Sequence, residues 1–161
     1  MRQRQQTGFT YLALLFAVAF AGIAMAATGI LWSVERQRLR EQELLFVGNQ
    51  FREAISHYYA SSPGMEKEYP RTLNDLIEDR RFLGVKRHLR KIYPDPLTGK
   101  PTWGMITAPQ GGIMGVYSLA NGQPIKTGGF KGCDELFAGQ NSYAGWRFVF
   151  RPVAVVPESS P

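Results

Sequence analysis

The chain has 161 residues and a formal net charge of +6, from 19 basic and 13 acidic residues. This length allows one ordinary domain, and the positive excess is too mild to indicate a dedicated nucleic-acid-binding protein. Its single cysteine, Cys133, excludes an internal disulfide and a cysteine-based metal cluster.

The most apolar segment lies near the N-terminus. No charged residue occurs between Arg4 and Glu35, and the run from Phe9 to Val34 is rich in Leu, Ala, Phe, Ile and Val. It exceeds the ~20 residues that a helix needs to cross a bilayer. Because the only charged residues before this run are basic, we expect a single transmembrane helix with a cytoplasmic N-terminus and a periplasmic C-terminal domain.

A secretory signal peptide is the alternative interpretation of this N-terminus. The sequence Ala-Met-Ala at residues 24–26 could serve as a small-residue cleavage site. However, the apolar core of a signal peptide is usually about 7 to 15 residues long, which is shorter than the run observed here. We therefore expect the segment to be retained as an anchor in the inner membrane.

The junction before the apolar run carries a second signal. Residues 6–10 read Gln-Thr-Gly-Phe-Thr, so a short polar, basic leader ends in Gly8 directly before Phe9. This resembles the class III signal of type IV pilins and type II secretion pseudopilins. The resemblance implies that residues 1–8 form a leader, that a prepilin peptidase cuts between Gly8 and Phe9, and that it methylates the new N-terminal Phe9.

One position departs from the pattern of that family. Most members carry a glutamate at the fifth position of the mature chain, where this sequence has Ala13. The departure indicates either a minor, tip-located or initiating subunit, or an assembly that uses another contact. Small residues in the apolar run would let neighbouring helices approach closely, and we expect an assembly helix that includes Ala13, Ala17, Ala21, Gly22 and Ala24.

Strong helix formers continue without a proline from residue 35 to Ser62. We predict one helix from Phe9 to about Ala60, of which residues 35–60 lead into a periplasmic head over residues 61–151. Apolar residues at steps of three and four predict a face that packs on the head: Leu44, Val47, Phe51, Ala54, Ile55 and Tyr58. The polar residues of this segment are expected on its other faces: Arg38, Glu41, Asn49, Arg52 and Glu53.

A second, short helix and a basic stretch follow the long helix. Thr72 is a plausible cap, with Asp75 in the first turn, and the helix is predicted to end near Arg81. The stretch from Arg80 to Lys91 is the most basic in the chain. It could be a solvated surface, a contact for an acidic protein partner, or a nucleic-acid contact, and nucleic acid is the least favoured partner.

Three β-like runs follow, at Thr102–Thr107, Ile113–Leu119 and Trp146–Arg151. The first two flank a proline- and glycine-containing turn and predict a hairpin. In the third, aromatic residues alternate with Arg147, Val149 and Arg151, which fits a strand covered on one face. The expected fold is therefore α+β and pilin-like, with one long N-terminal helix packed on a small antiparallel sheet of about three strands. Residues 152–161 are rich in proline and predict a disordered tail.

The sequence of the predicted head carries a further resemblance to the same family. The order of Tyr-Pro, PDPLTGKPTW and GGIMGVYSLANGQPI is similar to secretion pseudopilins related to the major G subunit. That family binds calcium after its second strand, and the resemblance makes Asp134 the best calcium candidate here. The corresponding loop has only Asp134 and Glu135 as acidic residues, whereas calcium takes six to eight oxygen ligands.

These features predict a structural subunit of a type II secretion pseudopilus and not an enzyme. The sequence has no nucleophile with a base, no paired carboxylate motif and no phosphate-binding loop. The partners implied by the resemblance are other pseudopilins or pilins, the prepilin peptidase, an inner-membrane assembly platform and membrane lipid. The alternatives are a minor pilin of a type IV pilus or DNA-uptake system, and a membrane-tethered binding module that never polymerises.

Overall fold

The computed structural model describes residues 7–152, and within the first helix the side chains of residues 7, 8, 24 and 26–31 lie outside this description. Helix α1 covers Thr7–Ala60 and is followed by a small sheet of three strands and by three short 3-10 helices. The chain divides into two compact units, residues 1–38 and 39–161. The predicted α+β class, with a long N-terminal helix and a three-stranded antiparallel sheet, is confirmed.

Within the second unit, α1 supplies one side of the hydrophobic core. The whole predicted apolar face is buried: Leu44, Val47, Phe51, Ala54, Ile55 and Tyr58. Aromatic side chains from later segments pack on this face, and the rings of Phe51 and Trp103 are 5.1 Å apart at their centroids. The step of three and four in the sequence therefore identified the packed face of the helix.

The sheet has the order β1-β2-β3 and is antiparallel throughout. Strand β1 covers Gly104–Thr107, β2 covers Ile113–Tyr117 and β3 covers Phe148–Val149. The predicted hairpin between the first two strands is confirmed, and its turn includes Gly111 and Gly112 with positive φ angles of 93° and 81°. Side chains with a Cβ rarely adopt such angles, so glycine suits both positions.

Strand β3 packs directly against α1. A Cβ atom placed on Gly48 of the helix would lie 2.4 Å from three carbons of the Phe148 ring. Trp146 and Phe148 are fully buried while Arg147 and Arg151 are exposed, as predicted, but Val149 and Phe150 are both half-buried, so the predicted alternation holds only in part. Gly48 therefore sets the distance between the helix and the sheet.

Replacing Gly48 by valine is expected to lower the free energy of unfolding by about 2–3 kcal/mol. The new side chain overpacks the contact with Phe148, and this cost exceeds the few tenths of a kcal/mol that valine gains over glycine in a helix. Denaturant unfolding measures the change. Gly128→Ala is the matched control, since nothing lies within 4 Å of a Cβ at that position, and equal stability of the two variants would contradict this packing.

The second helix is shorter than predicted. It is a 3-10 helix at Leu73–Leu76 and does not reach Arg81. The predicted cap is present, because the Asp75 carboxylate accepts hydrogen bonds from the backbone N–H and the hydroxyl of Thr72 at 2.9 and 3.0 Å. The helix stops because the carbonyl of Leu76 accepts the backbone N–H groups of His88 and Leu89, both at 2.8 Å.

The strands are also shorter than their sequence patterns. Residues 102–103 and 118–119 are not paired in the sheet, and β3 is limited to two residues. The chain beyond β3 stays close to β2, since the N–H of Phe150 donates to the carbonyl of Met114 at 2.9 Å. Most of the predicted disordered tail, residues 153–161, lies outside the described residues.

Candidate functional site

The first unit presents a long apolar surface on α1. All nine large apolar side chains between Phe9 and Ile23 are exposed, from 49% for Leu15 to 80% for Phe9. No charged residue interrupts this segment. Water solvates such a surface poorly, and contiguous exposed apolar surface marks a site of contact with protein or membrane.

The small residues predicted for assembly lie on the same segment. Ala13, Ala17 and Ala21 recur at steps of four, so they share one face of the helix, and all three are exposed. Nothing lies within 4 Å of a Cβ placed on Gly22. This face would admit the close approach of a second helix. The side chain of Ala24, the last residue of the predicted set, lies outside the description.

The predicted processing site is described only in part. The backbone of Gly8 and Phe9 is helical, and the side chain of Phe9 is exposed. Residues 1–6, which make up most of the predicted leader, lie outside the described residues. In the part of the chain that the structure describes, no helix meets the length and hydropathy that a membrane crossing requires.

Asp134, the calcium candidate, is engaged with two residues of α1. Its carboxylate accepts hydrogen bonds from Asn49 Nδ2 at 2.9 Å and from Arg52 Nη1 at 2.8 Å. The side chains of Arg52 and Asp134 are 12% and 13% exposed. A guanidinium ion in direct contact repels a divalent cation, so the residues present do not fit a calcium site.

The other residues that could bind a metal ion lead to the same conclusion. Among the described residues, no group of three or more His, Cys, Asp or Glu side chains is placed to hold a metal ion. Asp134 instead ties the 3-10 helix Gly132–Phe137 to the long helix. Asn49 and Arg52, which were predicted to lie away from the packed face of α1, are therefore partly buried contacts of the head.

Part of the basic stretch is internal. The carboxylate of Asp79 is fully buried and accepts hydrogen bonds from Arg81 Nε at 2.9 Å and Nη2 at 2.7 Å. His88 Nε2 lies 3.0 Å from the same carboxylate, and its side chain is 3% exposed. Arg81 thus neutralises a buried acid and His88 lies against the same carboxylate, so these two residues of the stretch do not face a partner.

The cluster of Asp79, Arg81 and His88 also provides a hydrogen-bond donor to the C-terminal end of α1. Arg81 donates to the carbonyl of Tyr58 at 2.9 Å and to the hydroxyl of Ser62 at 2.8 Å. Its guanidinium lies 3.5 Å from the centroid of the Tyr58 ring. The carbonyl is one of those that a helix end leaves without a backbone partner, and a cation is favourable there.

The electrostatics of the cluster follow from these contacts. The hydrogen bonds from Arg81 hold the pKa of the Asp79 carboxyl well below its usual range, against the opposing effect of burial. The same contact raises the pKa of Arg81. Burial raises the pKa of the neighbouring Tyr58 hydroxyl. Near neutral pH, Asp79 and Arg81 therefore form an ionised pair.

Glu41 is a structural residue, and the prediction that placed it away from the packed face of α1 is wrong. It is 1% exposed, and its carboxylate accepts hydrogen bonds from the N–H of Ile125 at 2.7 Å, the N–H of Lys126 at 3.0 Å and the Tyr143 hydroxyl at 2.7 Å. A signal was available, because Glu41 lies three residues before Leu44 and so belongs to the buried face.

The residues that the structure describes thus fall into two groups with different roles. The buried polar residues Glu41, Asp79 and Asp134 join distant segments of the head. The exposed apolar segment of the first unit has no such structural role within the described chain. Comparison with protein-family models, characterised proteins and solved structures finds no match to this chain.

Proposed function

We propose that this protein is a structural, minor subunit of a type II secretion pseudopilus that supports protein export across the outer membrane. The observation that carries the proposal is the uncharged apolar segment that directly follows Gly8, whose large apolar side chains are exposed from Phe9 to Ile23. A leader ending in glycine before such a segment resembles the prepilin signal, and a small α+β head follows it.

In this proposal, the segment from Phe9 to Val34 is the membrane anchor. Each large apolar side chain gains about 1.5–3 kcal/mol when it leaves water, so the exposed set between Phe9 and Ile23 strongly favours lipid or protein surroundings. The basic leader keeps the N-terminus in the cytoplasm and the head in the periplasm. The prepilin peptidase processes the chain at Gly8, and an assembly platform in the inner membrane then extracts the subunit.

The fibre forms by packing of these helices. Lipid tails are as apolar as leucine, so moving a helix from lipid to protein gains little hydrophobic free energy, and close contact must supply the attraction. The exposed small residues Ala13, Ala17 and Ala21 on one face permit that contact. Other pseudopilins of the same fibre are the expected neighbours, and the subunit has no catalytic role.

The alanine at position 13 is the reason for proposing a minor subunit, located at the start or tip of the fibre. A glutamate in the membrane costs about 2.5–3.5 kcal/mol even on the gentlest scale. An initiating or tip subunit has no earlier neighbour whose N-terminal amine a glutamate must neutralise. Alanine at this position avoids the cost where the pairing has no use.

The variant Ala13→Glu is expected to be processed at Gly8 to the same extent as the wild-type chain. The residues that the resemblance assigns to the peptidase, Gly8 and Phe9, are unchanged, and most members of the family carry glutamate at the substituted position. The shift in apparent mass on removal of the leader measures processing. A loss of processing in this variant, with normal expression, would contradict the assignment.

Deletion of the gene in the native host tests the proposed function. We expect exported enzymes to accumulate in the periplasm while surface pili and natural transformation remain normal. A plasmid with the wild-type gene should restore export, and a plasmid encoding Gly8→Val should not, because a bulky residue at that position blocks cleavage. A defect in piliation or transformation would favour the type IV pilus alternative, and processing-independent activity would favour a membrane-tethered binding module.

A further inference from the structure

A cavity of the second unit lies along the last part of the basic stretch, and we call it the basic cavity. It has a volume of about 770 Å³ and is lined by residues from one short segment of the chain: Arg87, His88, Leu89, Arg90, Lys91 and Tyr93. Three of these residues are cations. No acidic residue lines the cavity in the part of the chain that the structure describes.

The three cations of the basic cavity have no counter-ion of their own. Arg87, Arg90 and Lys91 are exposed, and no ion pair involves any of them among the described residues. Lys91 Nζ lies 5.3 Å from the centroid of the Tyr93 ring, a contact that does not neutralise its charge. Like charges so close along the chain repel one another, so all three would stabilise an anion in the cavity.

The backbone that carries these cations is fixed at both ends. The N–H groups of His88 and Leu89 donate to the carbonyl of Leu76, both at 2.8 Å, and the Leu89 side chain is buried in the core. At the other end of the segment, Trp103 Nε1 donates to the carbonyl of Tyr93 at 2.8 Å. Because the segment is already ordered, a ligand need not impose that order when it binds.

His88, which also lines the basic cavity, is already engaged. Its Nε2 lies 3.0 Å from the buried carboxylate of Asp79. That carboxylate would repel an anion, but Arg81 contacts it at 2.7 Å and neutralises its charge. The field in the cavity is therefore set by the three exposed cations, and we assign His88 no contact with a ligand.

We propose that the basic cavity binds a terminal phosphate group, carried by a free phosphate compound or by a lipid headgroup. An arginine guanidinium can form two parallel hydrogen bonds with a phosphate, and a lysine acts on it as a point charge. A terminal phosphate brings about two negative charges and three acceptor oxygens near neutral pH, more than a single carboxylate offers to three cations. The volume of the cavity exceeds that of one phosphate and leaves room for the rest of the ligand.

This inference goes beyond the proposed function and does not rest on it. The site is built from residues 87–93, far in the sequence from the predicted leader and the apolar segment. A nucleic acid also carries phosphates, but these are diesters with one charge each, and proteins bind them through a longer row of cations than this cavity provides.

Calorimetric titration with pyrophosphate tests the site, using the purified full-length protein in a non-ionic detergent at low salt. We expect the wild type to bind and Arg90→Gln to bind about tenfold more weakly, because charge-assisted hydrogen bonds are lost. Loss of all three cations should abolish binding: Arg87→Gln, Arg90→Gln and Lys91→Gln. The control variant loses the same number of charges from exposed positions elsewhere and should bind as the wild type does: Lys100→Gln, Arg147→Gln and Arg151→Gln.

Two results of this titration overturn the proposal. One is a wild type that does not bind pyrophosphate, including the case in which a glutamate-rich peptide or a DNA duplex binds instead. The other is equal weakening by the two triple variants, which would show an effect of net charge alone. All six substituted side chains are exposed, so we expect unchanged thermal unfolding, and if a triple variant does not fold, the single variant Arg90→Gln decides.

A second titration identifies the carrier of the phosphate by comparing glycerol phosphate with a short-chain phosphatidic acid. Tighter binding of the phosphatidic acid, lost when the three cations of the cavity are replaced, supports a lipid headgroup. Equal affinities for the two compounds support a free phosphate compound. Failure of processing at Gly8, or normal export without the gene, would refute the proposed function and leave these titrations unaffected.

Discussion

Replacing Glu41 by alanine is expected to lower the free energy of unfolding of the head by about 3–5 kcal/mol. The buried carboxylate accepts the N–H groups of Ile125 and Lys126 and the hydroxyl of Tyr143. Its removal takes this acceptor away from a buried hydroxyl and from two partly buried N–H groups, and the loss of such a hydrogen bond inside a protein costs about 1–3 kcal/mol. The same carboxylate joins α1 to a loop some 84 residues later, so the loop should also detach locally.

Denaturant unfolding of the full chain in detergent, followed by tryptophan fluorescence, measures this effect. Glu41→Gln should lie between the wild type and the alanine variant, because one amide oxygen replaces only part of the carboxylate. Gln42→Ala is the matched control at the adjacent, exposed position and should change stability by less than about 0.5 kcal/mol. Equal free energies of unfolding for Glu41→Ala and Gln42→Ala would contradict the stabilising role of the buried Glu41 carboxylate.

Replacing Asp79 by asparagine is expected to cost about 3–5 kcal/mol. The substitution keeps the size of the side chain but removes the negative charge, so the guanidinium of Arg81 stays largely buried without its counter-ion. The same guanidinium donates hydrogen bonds to the carbonyl of Tyr58 and the hydroxyl of Ser62 at the end of α1, so these two contacts should also weaken. Glu78→Gln, at an exposed neighbouring position, is the control and should have little effect.

The pH dependence of stability provides an independent readout of the same carboxylate. The folded pKa of Asp79 is depressed below its unfolded value of about 4, so its contribution is present above about pH 4 and is lost as the pH falls toward the folded pKa. The wild type should therefore lose more stability than Asp79→Asn between about pH 5 and pH 2.5. Parallel curves for the two proteins over this interval would show that Asp79 is not the group responsible.

The periodic elements could be predicted from the sequence because their pattern is local. Steps of three and four identified the buried side of α1, and the alternation from Trp146 to Arg151 identified the covered face of β3. The hairpin between β1 and β2 followed from the turn that contains Gly111 and Gly112. Each signal needs only neighbouring residues, so tertiary structure did not have to be known.

The buried polar contacts could not be predicted in the same way. Glu41 meets Tyr143 at a separation of 102 residues, and Arg52 meets Asp134 at a separation of 82. Nothing in the local sequence pairs these positions, so even Glu41, whose spacing from Leu44 placed it beside the buried face, was assigned to another face of the helix. The short second helix has a related cause, since the bonds that end it come from His88 and Leu89, well beyond the segment itself.

The apolar segment was predicted from its composition. Its role depends on contacts with lipid or with other chains, which the structure of one chain does not contain. Between Phe9 and Ile23 the large apolar side chains are all exposed. Lipid and neighbouring helices are the two environments that suit such a surface. The order in which the segment meets them, first lipid and then the fibre, follows from the proposed function.

Mass spectrometry of the N-terminal peptide of the mature protein, purified from cells of its native host, tests the central claim most directly. The account predicts a chain that begins at Phe9 with a methylated amino group and retains the whole apolar segment. A mature chain that begins after Ala26, or one that keeps residues 1–8 in functional cells, would contradict it.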